Sequence, residues 1–382
     1  MTDSRTTVEG RASAVDVVRE VVTNGPILRR DLAARLGTSL ATLSRLTTPL
    51  VEHGVIVELE PTEDSLGRPA RPLDVPLDGS CYLGVKLRGD SAIGVLTDIR
   101  ASELTTAEVP LDDSRVSTVV GAIAAIAAQL GAGHTIAGVG VSVAGPVSRA
   151  SVVDRDGFLD WTGIDLGAEV ATALELPVTV ENDVVALTQA EHWFGLGRGL
   201  KNFAVLTIGA GIGYGLVREG RVTDVHDAGL GLASHIPLGG SGRGCELGHT
   251  GCSSAMLKTS SIRAAASSEV GAPLDHDALV VRARDGDASA IDLVKDTSSA
   301  LGTLVALVAN LAIVDTVILA GEGISILELG RAELDDAICA HRDRDARSID
   351  VRIDESGFTS WARGAAVVAI QHGVHSLAYR IN

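Results

Sequence analysis

The sequence predicts an α/β protein built from two unequal units: a small helical module, then a large two-lobed α/β domain. Three observations predict it. The first sixty residues read helix, helix, tight glycine turn, helix, strand. From about residue 80 the order becomes three strands, a helix and a strand, and this order partly returns after residue 200. The charge is partitioned the same way. Of the net −17 carried by 382 residues, residues 1–75 hold nine Arg against eleven acids, a net of −2, and the remainder holds −15.

Residues 11–23, "RASAVDVVREVVT", place Val15, Val18 and Val22 on one helical face and stop at Asn24-Gly25. Residues 29–36 form a short helix ended by Gly37. Ser39 then caps a third, with Leu43, Leu46 and Leu50 on one side. "GVIVELE" (54–60) follows as a strand. This is the order of a winged helix-turn-helix, whose last helix enters the DNA major groove. Leu32, Leu36, Leu43 and Leu46 make its small core, leaving Ser39, Thr42, Ser44 and Arg45 outward to meet bases or phosphates. Residues 26–50 carry Arg29, Arg30, Arg35 and Arg45 against Asp31 alone, a local +3 inside an acidic chain. A small dimerisation or capping domain would share the pattern. Pro49 lacks a helix donor, so the helix is expected to run straight only to about Thr47.

The expected boundaries are 1–64 for the winged helix, 65–79 for a linker and 80–382 for the large domain. "SLGRPARPLDVP" (65–76) reads as linker from its Pro and Gly. Its Arg68 and Arg71 would reach a minor groove, or simply be solvated.

Composition excludes several classes. With 46% hydrophobic and 21% charged residues, the chain folds rather than staying disordered. A net charge of −17 argues against general coating of nucleic acid. Cys81, Cys245, Cys252 and Cys339 make a poor disulfide framework. No apolar leader follows the start, and the most apolar run, "LGTLVALVANLAIV" (301–314), is short for a membrane span and contains Asn310. A cytoplasmic protein without membrane contact is expected.

The large domain carries three motifs. "TIGAGIGYG" (207–215) lies between strands, so it is not a dinucleotide fingerprint, although its backbone amides suit a phosphate as well as tight hairpin packing. "PVTVENDVVALTQAE" (177–191) puts Asn182 and Asp183 at a strand end before a helix. The pair suits sugar hydroxyls, with Asp183 as a general base, and equally suits helix capping. "HIPLGGSGRGCELGHTGC" (235–252) supplies His235, Cys245 and Cys252 at metal-ligand spacing, but Leu247 stands where a second C-x-C thiolate would be.

These segments, with "GVSVAGPV" (140–147), "LTIGAGIGYGLVREGRV" (206–222), "ILAGEGIS" (318–325) and the "GRP" after the winged helix, resemble the ROK family of bacterial repressors and sugar kinases. The resemblance implies an actin-like ATPase domain of two RNase H-like lobes. The winged helix places the chain with the regulators rather than the kinases.

Three departures from the family pattern matter. Family kinases open with D-x-G-G-T, whereas "KLRGD" (86–90) has Lys86 in the Asp position and Arg88 in the glycine turn, which argues against phosphoryl transfer and against ATP or magnesium as cofactors. Two sugar-contacting Glu positions are Leu232 and Ser254, while Asn182, Asp183 and His235 remain. The effector is then a differently substituted sugar derivative, or effector binding is lost. The family zinc uses one His and three Cys, matching His235, Cys245, Leu247 and Cys252. Zinc held weakly and a metal-free loop both stay open, with His249 or Glu246 as substitute ligands.

The resulting expectation is a DNA-binding transcriptional regulator, a repressor of carbohydrate-related genes, acting on palindromic operator DNA as a homo-dimer or tetramer. The alternatives are an active sugar kinase, or a regulator with a vestigial pocket answering to a protein partner.

Overall fold

The computed structural model describes residues 12–63, 69–76, 79–223, 225–240 and 242–379. The first unit contains α1 (Ala14–Asn24), α2 (Arg29–Arg35) and α3 (Leu40–Glu52), then four short strands, β1 (Val57–Glu58), β2 (Thr62–Glu63), β3 (Pro69–Ala70) and β4 (Leu73–Asp74). Ser13 starts α1 with a reciprocal capping box to Asp16. Ser39 starts α3 by accepting a hydrogen bond from the Thr42 N–H at 3.1 Å. The third helix continues through Pro49 to Glu52.

The expected linker is corrected here. β4 pairs antiparallel with β1, and β3 with β2, so residues 69–74 are the returning half of the wing. Leu73 and Val75 are buried, and Leu73 bridges Ile27. Proline is tolerated on such short edge strands, so a Pro-rich return strand and a linker look alike in composition.

The second unit opens with β5 (Ser80–Leu87), β6 (Ser91–Thr97), β7 (Glu103–Pro110), α4 (Val116–Leu130) and β8 (Thr135–Val143). A small sheet of β9 (Val147–Ser148), β10 (Val152–Asp156) and β11 (Trp161–Asp165) follows, then α5 (Leu166–Leu174), β12 (Val178–Asn182) and α6 (Asp183–Trp193). The second lobe holds β13 (Phe203–Ile208), β14 (Ile212–Arg218), β15 (Arg221–Val222), α7 (Ser253–Leu257), α8 (Thr259–Glu269), α9 (His276–Arg284), α10 (Ala288–Ala312), β16 (Thr316–Ala320), α11 (Leu327–Ala340) and β17 (Asp350–Ile353). The last helix, α12 (Phe358–Tyr379), returns to the first lobe.

The two sheets are wired alike. Read outward from the first strand, β5 and β13 each pair antiparallel on one side and parallel on the other, giving orders β7-β6-β5-β8-β12 and β15-β14-β13-β16-β17. The partial sequence repeat is therefore a structural duplication. α12 lies directly on β5 and β8, and two glycines permit it. A Cβ at Gly84 would sit 1.9 Å from the Ala362 carbonyl oxygen, and one at Gly140 1.8 Å from that of Ala365.

The winged helix is docked, not tethered. Val17, Val18, Val21 and Val22 of α1 are buried in one cluster with Tyr82, Trp193, Ala366, Ile370 and Val374 of the large domain. The Asp74 carboxylate pairs with Arg100, and Arg198 donates to the Asn24 side-chain oxygen at 3.3 Å. Among the described residues, no helix is long and apolar enough to cross a membrane.

Candidate functional site

Three groups of residues carry chemistry. The first is the outer face of α3. Leu43, Thr47 and Leu50 are buried, which turns Ser44, Arg45 and Thr48 to solvent. Ser39 is engaged as the cap and also donates to Thr42 Oγ1 at 3.1 Å, so it orders the helix start. Arg29 pairs with Glu58, Arg30 with Asp31 and Arg35 with Glu20, whereas the Arg45 guanidinium lies 3.5 Å from Thr42 Oγ1. Among the described residues Arg45 has no ion pair, which leaves its guanidinium available to a base or phosphate. Sequence reasoning missed Leu40, 56% exposed at the helix start, where an apolar side chain suits a thymine methyl. Arg71 is exposed on the wing, and Arg68 lies outside the described residues.

The second group lines a cavity of about 730 Å³ between the lobes. The start of α6, the β5–β6 turn, the β13–β14 turn and the start of α12 meet there. Lys86 is buried, pairs with the Asp183 carboxylate, and lies 5.6 Å from the Trp361 ring centre. The other Asp183 oxygen accepts the Val184 N–H at 2.8 Å. Asn182 is committed as well. Its Oδ1 caps α6 through Val184 and Val185, and its Nδ2 donates to the carbonyls of Ala144 and Gly145 at 3.3 and 3.2 Å. Both residues reach the cavity, but with their polar atoms already partnered. His235 is not among the lining residues; its neighbour Ser234 is.

The cavity also carries aromatic side chains that sequence reasoning did not single out. Phe158, Tyr214, Phe358 and Trp361 line it, a concentration of aromatics in a chain with only 3% of them. Arg88 stacks on Phe358 at 4.7 Å and pairs with Asp90 at 3.3 Å. Of the two lost carboxylate positions, Leu232 points to solvent and Ser254 is buried in α7.

The third group is the His/Cys segment. His235, Cys245, His249 and Cys252 present ligand atoms that all lie within 4.8 Å of one another. His235 Nδ1 is 3.7 Å from Cys245 Sγ and 3.8 Å from Cys252 Sγ. Tetrahedral zinc with ordinary Zn–S and Zn–N bonds separates such atoms by roughly 3.6 Å, so the donor set fits the ion. A turn brings His249 in: Cys245 N–H donates to the His249 carbonyl at 2.9 Å and Gly248 N–H to that of Cys245 at 2.9 Å, with Gly248 at φ +82. Leu247 points away, 64% exposed, and Glu246 is held by Lys258 at 2.8 Å. The three-ligand picture from the sequence thus becomes a four-residue cluster.

The ROK family model matches residues 82–372. A glucokinase from Streptomyces coelicolor is 32% identical over 171 residues, which cover 44% of this chain and 54% of that protein; the match spans about half of that relative's length. Transcriptional regulator Rv0485 from Mycobacterium tuberculosis is 27% identical over 383 residues, covering 94% of this chain and 85% of that one. The crystal structure of a ROK family transcriptional regulator, a homologue of the E. coli MLC protein, superposes with a TM-score of 0.76 at 20% identity over 96% of this chain and 97% of that one, and so shares its fold from the winged helix onward. By the match over residues 82–372, this chain belongs to the ROK family.

Proposed function

We propose that the protein is a DNA-binding transcriptional repressor of carbohydrate-related genes, without kinase activity. It would bind palindromic operator DNA as a homo-oligomer, with α3 of each copy in a major groove and Arg45 reading a base. The interlobe cavity would hold a sugar derivative as effector. The observation that carries the reading is the Lys86–Asp183 pair. Phosphoryl transfer in this fold needs a carboxylate free to accept a hydroxyl proton, and here the carboxylate is tied to an ammonium group.

The relatives support the same direction, since a regulator matches nearly the whole chain and the glucokinase about half of it. Zinc at His235, Cys245, His249 and Cys252 would pin the 235–252 loop and so hold one wall of the second lobe.

The test is selection of binding sites from random duplex DNA with the full chain. An enriched palindrome, lost with Arg45→Ala, is expected. No enrichment, together with sugar-dependent ATP consumption, would replace the regulator by a kinase.

A further inference from the structure

The turn joining β13 to β14, Gly209-Ala210-Gly211, lies at the end of a strand that runs parallel to β16, where α/β sheets commonly take ligands. Such a turn presents backbone N–H groups to an anion. Here an anion is already present, and the chain supplies it. Ala210 N–H donates to Glu322 Oε1 at 2.7 Å. A Cβ built on Gly209 would lie 2.3 Å from Glu322 Cδ and from both of its oxygens, so the carboxylate rests flat on the bare glycine.

The flanking residues aim it there. Gly321, at φ +95, and Gly323 both press on Ile208, with hypothetical Cβ contacts of 2.4 Å to its carbonyl oxygen and 2.5 Å to Cγ2. Among the described residues Glu322 has no ion pair, and its carboxylate accepts from the turn amide of Ala210. Gly209, Ala210, Gly211 and Glu322 all line the interlobe cavity.

We propose that Glu322 is a built-in occupant of an oxyanion site: its carboxylate fills the place where the phosphate of a nucleotide would sit, and excludes nucleotides from the cavity. Two anions cannot share one turn. A phosphate brought to Ala210 would have to displace the carboxylate into the cavity, away from its hydrogen bond. The proposal goes beyond the lack of phosphoryl transfer argued from Lys86, because it concerns binding rather than chemistry, and it does not depend on the DNA-binding reading.

The experiment titrates the full chain with pyrophosphate and with ADP by calorimetry, for wild type, Glu322→Gly and Glu322→Gln. No saturable binding at millimolar ligand is expected for the wild type. Glu322→Gly, which empties the turn, should bind pyrophosphate at least tenfold more tightly. Glu322→Gln keeps an oxygen to accept from Ala210 N–H, and should gain less. In the variant, and not in the wild type, pyrophosphate should also move the Ala210 amide resonance.

Wild-type binding as tight as that of Glu322→Gly would overturn the proposal, and so would failure of both variants to bind while they melt like the wild type. If Glu322→Gly does not fold, the Glu322→Gln titration decides: any gain over wild type supports the plug, and none overturns it. Operator binding measured on the same preparations reports separately on the regulator reading.

Discussion

Lys86, at the end of the first strand of the large domain, forms an ion pair with Asp183 at the start of α6, ninety-seven residues away in sequence. Both side chains are largely buried, and the Lys86 ammonium also faces the ring of Trp361. The pair joins β5 to α6 across the floor of the cavity. One exchange of charge therefore has two effects: it removes a free carboxylate from the cavity, and it adds a fixed contact between two elements that frame it.

Breaking the pair from one side should destabilise the protein. Lys86→Met would leave Asp183 without its cation, at a cost of about 3 kcal/mol, because a partner lost from a buried pair strands the other charge. The double variant Lys86→Met/Asp183→Asn should recover most of it. Urea denaturation of the wild type, Lys86→Met, Asp183→Asn and the double variant measures this; a double variant that loses the sum of the two single losses would show that the pair is not coupled. Lys86→Asp should gain no ATP turnover, because Arg88 still occupies the glycine position of the turn.

Arg45→Ala should weaken operator binding by about 1–3 kcal/mol and relax preference at one base pair in each half-site, if the guanidinium reads a base. Arg71→Ala, on the exposed wing, should lower affinity evenly across sequences and flatten the salt dependence. Fluorescence anisotropy with operator variants at several salt concentrations separates the two. An Arg45→Ala protein with unchanged sequence preference would move base reading elsewhere on α3.

What was legible in the sequence was local or periodic. The capping box at Ser13 and the cap at Ser39 mark helix starts by short-range hydrogen bonds, and Val18, Val22, Leu43 and Leu50 keep a helical spacing that survives into the core. The repeated strand order gave the two lobes. Non-local partners were not legible. That Lys86 replaces a family Asp is visible, but its contact with Asp183 is not. Glu322 lies in "ILAGEGIS" (318–325), yet only folding brings it to Gly209. The wing was misread because Pro69 and Pro72 signal a linker, and the burial of Leu73 and Val75 is decided by α1 and the large domain. His249 entered as one of two substitutes for Leu247; the Cys245–Gly248 turn and the Glu246–Lys258 pair separate them.

The purified protein should hold one zinc per chain. His249→Ala should lower zinc occupancy and thermal stability together, since metal bound only by the folded state stabilises it. Leu247→Ala should change neither, because that side chain points to solvent. Elemental analysis before and after mild chelation decides. Occupancy unaffected by His249→Ala would return the site to three protein ligands.

Glu191 lies near the end of α6, ahead of the first strand of the second lobe. It is buried on α6, close to the segment that leads to β13, and Asp354 and Arg363 stand nearby. Burial pushes its carboxyl up to about 7 from an ordinary 4.5, against the lowering effect of the Leu196 N–H, which donates to it at 2.6 Å; Asp354 adds to the rise and Arg363 offsets it. Because the folded value is raised, the folded protein keeps a proton that the unfolded chain has released between about pH 4.5 and 7. This contribution to stability is present at the acid end and is lost as pH rises through 7. Above that, the fold carries a buried carboxylate close to Asp354. Glu191→Gln mimics the protonated acid and keeps an acceptor for Leu196. It should match the wild type near pH 4.5 and exceed it above pH 7, by at most about 3 kcal/mol, from 1.36 kcal/mol per pH unit. Urea denaturation of both proteins at pH 5 and pH 8 measures the gap. A gap that does not widen with pH would mean that Glu191 is ionised in the folded protein across this range.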